Sequence, residues 1–326
     1  MPHHCCDSRR VRLASARGER PACQGAGGPA GGGRPLHPRR RRFSHISVGA
    51  GCHLRYWVMD SKETAISYRT ARARFMNAAI MFAARWTPYM EPEMLGLREV
   101  VAEGSVCVDV GSAAGLYTLA LSHLAGPKGE VHSVEPLRFA HPACARLLGA
   151  RDAGNVRHHG VALGAQPGRA VMKVPVRRSG LVTGRSFLAQ APCEVGSNAE
   201  FDGHLGVTVD VETLDALCEK NGVPRVDFVK IEVEGAELQV LEGGEGVIGK
   251  WRPSVLVEIE ERHTARYGHQ PEQVVAWFER HGYCMYTWQG NWLRSEGVCP
   301  HARNYLFRPR TTAALAPLAG ERTRAA

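Results

Sequence analysis

Beyond residue 104 the chain alternates short apolar runs with stretches of helical period, and no other feature constrains its fold as much. VCVDV (106–110), EVHSV (130–134), a run inside NVRHHGVAL (155–163), VDFVKIEV (226–233) and PSVLVEIE (253–260) read as strands. Helical patterns lie between them at 114–124, 138–149 and 235–241. Strands that alternate with helices are buried on both faces, so the expected fold is α/β, a doubly wound and mostly parallel sheet. YCMYTW (283–288) and NYLF (304–307) have no helix between them and predict a hairpin at one edge, for seven strands in all. The helix before them starts at Gln270–Pro271–Glu272, with proline in its first turn, and Gly282 closes it. Residues 164–212 break the alternation with RRSG, TGRS and EVGSN and end in VTVDVETLDAL, which reads as a strand running into a helix. They are expected to form an irregular insertion over the carboxyl edge of the sheet, where substrate-shaping loops usually sit.

The 326-residue chain is formally +9, which would suit a nucleic-acid partner if the charge lay on the folded part. It does not. Residues 1–58 hold eleven Arg against Asp7 and Glu19, while residues 59–326 carry 30 basic and 30 acidic side chains. GAGGPAGGGRP (25–35) cannot bury apolar area and RRRR (39–42) repels itself, so residues 1–58 read as a disordered tail. Organelle targeting and an anionic-surface tether are two uses for such a tail; the reading adopted is that Met59 is the native start. Residues 309–326 read as a second tail, which leaves 59–308 as one domain. No run approaches the ~20 apolar residues of a membrane helix. The ten cysteines show no CxxC spacing, so neither a disulfide framework nor a zinc site is expected, and the setting read from them is a reducing cytoplasm. Asp60 and Glu63 have the spacing of a capping box. Tyr68, Ala71, Phe75, Ala79, Phe82 and Trp86 then recur as one face of an N-terminal helix over 61–86, and that stripe is expected to be core.

Three segments carry chemistry. In VCVDVGSAAGLYTLAL an acid, Asp109, is followed by Gly111, Ser112 and Gly115 and then a helix. Glycines let a backbone bend tightly and approach a ligand. The second strand ends at Glu135, placed to accept hydrogen bonds from ribose hydroxyls. A dinucleotide fingerprint would need glycine where Ala113 and Leu116 stand, so the pyrophosphate cradle is missing. Asp109 suits a ligand with a positive centre, such as the amino group or sulfonium of S-adenosylmethionine. In DFVKIEVEGAELQVLEGG (227–244), Lys230 and Glu232 share a side of the strand and can pair, with Glu234 just past its end. Glu237 and Glu242 read as helix-dipole and surface charge. In PSVLVEIEERH, Glu258 and Glu260 precede His263, a candidate proton acceptor near neutral pH.

These segments in this order resemble the FkbM-type methyltransferase family, on CVDVGSAAGLYT, SVEP, TVDVETLDAL, DFVKIEVEGAELQVLEGG and the final GY…NYLFRP. The resemblance covers roughly residues 88–308 and implies a Rossmann-like fold dependent on S-adenosylmethionine. It implies that Asp109, Gly111, Ser112 and Gly115 line the methionine end of the donor, that Glu135 holds its ribose, and that Lys230, Glu232 and Glu234 face the reaction centre. The chain departs where the family often has Asn at the Ala113 position, Asp at the Glu232 position, and an acid after the third strand, here VALGAQ. The adenine amino group is then left to backbone or Gln166 contacts. The expected activity is O-methylation of a small-molecule, sugar or natural-product hydroxyl, with Glu232, Glu234 and His263 as candidate bases and Lys230 orienting the base. A divalent cation bridged by Glu232 and Glu258 is a secondary option. Two alternatives remain: a nicotinamide-dependent oxidoreductase on a similar sheet, and a nucleic-acid-binding protein using the basic tail.

Overall fold

The computed structural model describes residues 43–48, 52–57, 71–87, 90–137, 154–178, 180–189 and 201–310. The chain divides into two compact units, Met1–Val58 and Met59–Ala326. Within the stretch read as a tail, β1 (Phe43–Val48) and β2 (Cys52–Trp57) pair antiparallel as a hairpin. The capping box at Asp60 and Glu63 and the helix expected at 138–149 lie outside the described residues.

The second unit opens with α1 (Ala71–Trp86) and a 3-10 helix, Pro92–Glu99. There follow β3 (Val106–Val110), α2 (Leu116–Ala125), β4 (Glu130–Val134) and β5 (Val156–His159). The expected irregular insertion instead builds a sheet of its own. It comprises β6 (Ala162–Leu163), β7 (Gly168–Arg177), β8 (Gly180–Leu181), β9 (Phe187–Leu188) and β10 (Gly203–Glu212). β7 and β10 pair antiparallel over nine residue pairs, from Gly203↔Val176 to Val211↔Gly168. Alternation along them puts Met172, Val174, Leu188, Val209 and Val211 into a small core of their own. Polar neighbours hid that period from a reading keyed to turn residues.

The chain then resumes strand–helix order: α3 (Leu214–Lys220), β11 (Phe228–Ile231), α4 (Glu237–Glu242), α5 (Glu245–Trp251), β12 (Ser254–Glu258), α6 (Glu261–Thr264) and α7 (Pro271–Arg280). The last strands are β13 (Tyr283–Trp288), β14 (Trp292–Ser295) and β15 (Asn304–Pro309). Among the described residues the large sheet has the order β14-β13-β15-β12-β11-β3-β4-β5. The five strands from β12 to β5 are parallel and the other three antiparallel, as expected, with β14 a short eighth strand at the edge. Thr213 caps α3 by accepting from the Ala216 amide at 3.0 Å, and Gln270 and Gln273 form a capping box on α7.

Side-chain alternation sorts the parallel strands into two cores. Val108, Val229, Ile231, Val255 and Val257 face one side, against α3, α4, α5 and α7. Cys107, Phe228, Leu256 and Leu306 face the other, against α1, α2 and the 3-10 helix. α1 differs from its sequence reading. Ile80 and Ala84 are buried in this core, while Phe75, Phe82 and Trp86 are 71%, 65% and 66% exposed. Small residues at Ala83 and Ala84 let the helix sit close to its neighbours, so the bulky stripe is turned outward. Ile80→Ala is therefore expected to cost about 2–5 kcal/mol in urea unfolding. Phe75→Ser or Phe82→Ser should stay within about 0.5 kcal/mol of the parent chain.

Candidate functional site

Polar residues collect on one face of the sheet because their strand positions share parity. Lys230 on β11 stands in register with Asp109 on β3, and Glu258 on β12 with Asn304 on β15. Lys230 is 1% exposed. Its ammonium donates to Asn304 Oδ1 at 2.9 Å, pairs with Glu232 Oε2 at 3.2 Å and lies 4.9 Å from the centre of the Tyr117 ring. Tyr117 in turn donates its hydroxyl to Glu91. Burial acts to lower the Lys230 pKa, but the carboxylates of Glu232, Glu91 and Glu258 outweigh it and the pKa is raised. Asp109 lies under the first loop, fully buried, accepting from the Thr118 hydroxyl at 2.5 Å. Burial pushes its pKa up to about 6 against the pull of Thr118 and Lys230.

At the carboxyl ends of β3, β4 and β11 a cleft of about 610 Å³, part of it open to solvent, separates the large sheet from the insertion. Gly111, Ala113, Glu135, Glu232 and Glu234 line it, and Val161, Leu163, Met172 and Leu188 give it apolar walls. Glu135 receives the Ala113 amide at 3.0 Å on one carboxylate oxygen and the Leu137 amide at 2.8 Å on the other. Burial raises its pKa despite these two bonds. Asp109, Ser112 and Gly115 are not part of the lining. Ser112 accepts from the Ser133 hydroxyl at 2.8 Å, and Gly115, at φ +87°, starts α2. These three shape the loop from beneath. The VALGAQ segment contributes the wall residues Val161, Ala162 and Leu163, whereas Gln166 does not line the cleft.

The loop after β11 is held by a residue that sequence reasoning assigned to the surface. Glu237 is 2% exposed, and its Oε1 accepts the amides of Gly235 at 3.0 Å and Val233 at 3.2 Å. Its place in the first turn of α4 favours the charge, but the clasp on the preceding loop is what the four-residue and two-residue spacings make possible. Glu234, between those amides, has φ +58° and faces His263, whose Nε2 lies 3.2 Å from its Oε2. His263 Nδ1 is 3.9 Å from Glu258 Oε2. His263 is 4% exposed and does not line the cleft. Burial pushes Glu234 up to about 8, with Arg185 opposing and Glu232 adding. Glu258 is likewise raised by burial, and His263 is lowered by it. Glu260 is held by Arg262 through two bonds at 2.5 and 3.1 Å.

A family profile described as the methyltransferase FkbM domain matches residues 109–285, more than half of the chain. The chain belongs to the FkbM methyltransferase family. The match spans the first loop, Glu135, the insertion, the loop after β11 and His263. That membership displaces the oxidoreductase alternative. Solved structures resemble this family member only distantly. An FkbM methyltransferase from Methylobacillus flagellatus is 17% identical, with TM-score 0.38, over 63% of this chain and 44% of that one, so this chain spans less than half of that relative's length. An S-adenosylmethionine-dependent O-methyltransferase from Thermotoga maritima is 12% identical, with TM-score 0.37, over 83% and 79% of the two chains. Aeropyrum pernix fibrillarin with bound S-adenosylmethionine is 12% identical, with TM-score 0.33, over 73% and 76%. No curated protein sequence matches the chain.

Two measurements follow from the geometry of the loop after β11. Glu237→Ala strands the amides of Val233 and Gly235 and should cost about 1–3 kcal/mol per stranded group in chemical unfolding. Glu234 keeps its proton to about pH 8, whereas an unfolded chain releases it near 4.5. The folded state then binds the extra proton, so stability falls as pH rises between those values, by at most about 1.4 kcal/mol per pH unit. Below the ordinary histidine range His263 works in the opposite sense, so the window to examine is pH 6.5 to 8. Glu234→Gln should make the decline there shallower in unfolding titrations, with Glu258, pushed up to about 9, supplying the remainder.

Proposed function

We propose that this chain binds S-adenosylmethionine in the cleft beneath the insertion and methylates a hydroxyl of a small-molecule, sugar or natural-product acceptor. The observation that carries this reading is the cleft itself: a half-buried carboxylate, Glu135, at the end of β4, facing apolar walls across a glycine-bearing loop. The residues fit the donor. Each Glu135 oxygen accepts one backbone amide and has lone pairs left for ribose hydroxyls, while Val161, Leu163 and Met172 offer a dry slot for a flat base. The donor, when bound, supplies an electrophilic methyl group on sulfur.

The remaining work falls to the chain. Glu232 lines the cleft with 31% of its side chain exposed, so an acceptor hydroxyl can reach it and lose its proton to it. Lys230, with no access to solvent, is a positioning residue that holds Glu232 from below. Glu234 carries its proton at neutral pH and so donates a hydrogen bond rather than accepting a proton, with His263 orienting it. Glu91, Glu232 and Glu258 bring carboxylate oxygens within 4.8 Å of one another, yet the Lys230 ammonium already stands beside them. A divalent cation among them would face that charge, so the residues do not fit one. No helix among the described residues is long and apolar enough to cross a membrane.

Calorimetry on the full chain with S-adenosylhomocysteine tests the reading. Binding is expected, about tenfold or more weaker in Glu135→Ala, where the Ala113 and Leu137 amides also lose their acceptor. Glu232→Gln should keep that affinity within about twofold yet abolish methyl transfer from labelled donor to a hydroxyl-bearing acceptor panel. Absence of heat in the parent chain would overturn the proposal. Millimolar magnesium or a chelator should leave both affinity and the thermal midpoint unchanged.

A further inference from the structure

The helix α1 gives its small side to the core and its large side to solvent. Ile80 and Ala84 are buried in the core shared with α2 and the 3-10 helix, and Asn77 is buried one turn earlier. Phe75, Phe82 and Trp86 are the three most exposed large apolar side chains among the described residues. They follow one another at two turns and then one turn of the helix, so they form a single row roughly 16 Å long. Ala78 and Ala79, also exposed, fill the gap in that row. Single apolar side chains on a surface are ordinary. Three aromatic rings in one row on one helix make a patch, and such patches mark docking surfaces.

Charge identifies what docks there. The sequence of α1 contains Arg72, Arg74 and Arg85 and no acidic residue. Arg85 is exposed, and its guanidinium carbon lies 5.5 Å from the centre of the Trp86 ring, so a positive charge stands at the end of the aromatic row. A second copy of the chain would bring an acid-free, arginine-bearing helix against its own like, and like charges across an interface oppose pairing. Protein partners bond polar groups, at about one hydrogen bond per 100–200 Å² of interface. The row offers only the Trp86 indole N–H and the Arg85 guanidinium for that purpose. Aromatic rings beside arginine match the boundary region of an anionic bilayer instead, where the rings sit at headgroup depth and the guanidinium meets lipid phosphate.

We propose that α1 docks this chain on an anionic lipid surface, with Phe75, Phe82 and Trp86 entering the boundary between headgroups and acyl chains and Arg85 meeting lipid phosphate. The inward face of the helix stays packed on the domain, so α1 lies along the surface. With 16 residues it is too short to cross a bilayer. Apolar burial and the attraction of arginine to anionic headgroups act together, and the bond they make is reversible. The proposal is independent of the methyl-transfer reading.

The test is co-sedimentation of the full chain with vesicles, either of phosphatidylcholine alone or of equal parts phosphatidylcholine and phosphatidylglycerol. The chain is expected to bind the mixed vesicles, and to bind them less as salt is raised. Phe75→Ser combined with Phe82→Ser should lower the partition onto vesicles about tenfold or more, with the thermal midpoint of the parent kept. Arg85→Gln should lower it about fivefold and serves if the double variant does not fold. Equal partition of parent and variants would overturn the proposal, by assigning the binding to another basic segment such as residues 1–58. Equal binding to neutral and mixed vesicles, or binding to neither, would overturn it as well. A parent chain that sediments as a dimer, with the double variant a monomer, would overturn it by making the row a contact between copies.

Discussion

A lysine ammonium sealed inside a sheet has to be answered from several directions at once, and in this fold Lys230 is answered by four. Desolvating an ion costs several kcal/mol unless charge and hydrogen bonds replace the lost water. Asn304 reaches it from β15, Glu232 from the end of β11, Tyr117 from α2 across its ring face, and Asp109 lies in register on β3. Those groups belong to elements far apart in sequence. The requirement that one buried cation be satisfied therefore fixes the relative placement of the central strands, the helix above them and the loop that carries Glu232.

Two residues further on, the opposite regime begins. Glu232 has a cation beneath it and solvent above. Glu234 has a histidine, a protein interior and other carboxylates around it, and keeps its proton to about pH 8. Two identical side chains on one loop thus meet different surroundings, one beside the Lys230 ammonium and one against His263 in the interior. The clasp made by Glu237 is what permits this, because it fixes the backbone between them. Without the bonds to Val233 and Gly235 the loop could turn Glu234 outward to water and the contrast would vanish.

The parallel strands were legible because burial on both faces leaves unmistakable apolar runs, and the two glutamates of the β11 loop because charge next to such runs is rare. The sheet built by the insertion was not. The end of β10 was read as a strand running into α3, but its partner β7 alternates apolar with charged residues, Met172 beside Lys173, and that period is masked when turn residues draw the attention. α1 misled in another way. Its large aromatic residues form a regular stripe, but the neighbours it meets accept Ile80 and Ala84 instead, so size and period alone chose the wrong face. Glu237 was misplaced because a first-turn glutamate has an ordinary explanation that needs no tertiary contact.

The cleft is shaped by how closely three backbone segments approach. A side chain at Gly111, φ +78°, would run into the Glu232 carbonyl, and one at Gly235, φ +111°, into the His263 carbonyl. The loop after β11 is thus wedged between the loop after β3 and α6. Two residues without glycine's freedom are forced into left-handed backbone beside it, Glu234 at φ +58° and Ala113 at φ +42°. Each such residue costs roughly 1–2 kcal/mol and persists only where its surroundings over-determine it. For Glu234 that surrounding is the Glu237 clasp and the Arg266 bond to its carbonyl; for Ala113 it is the hydrogen bond from its amide to Glu135. Asn enters the left-handed region more readily than alanine, so Ala113→Asn would relieve this strain. Here the strain is held by the same carboxylate that faces the cleft, so the loop geometry and the placement of Glu135 are a single constraint. The site's backbone is set by the fold before any ligand arrives.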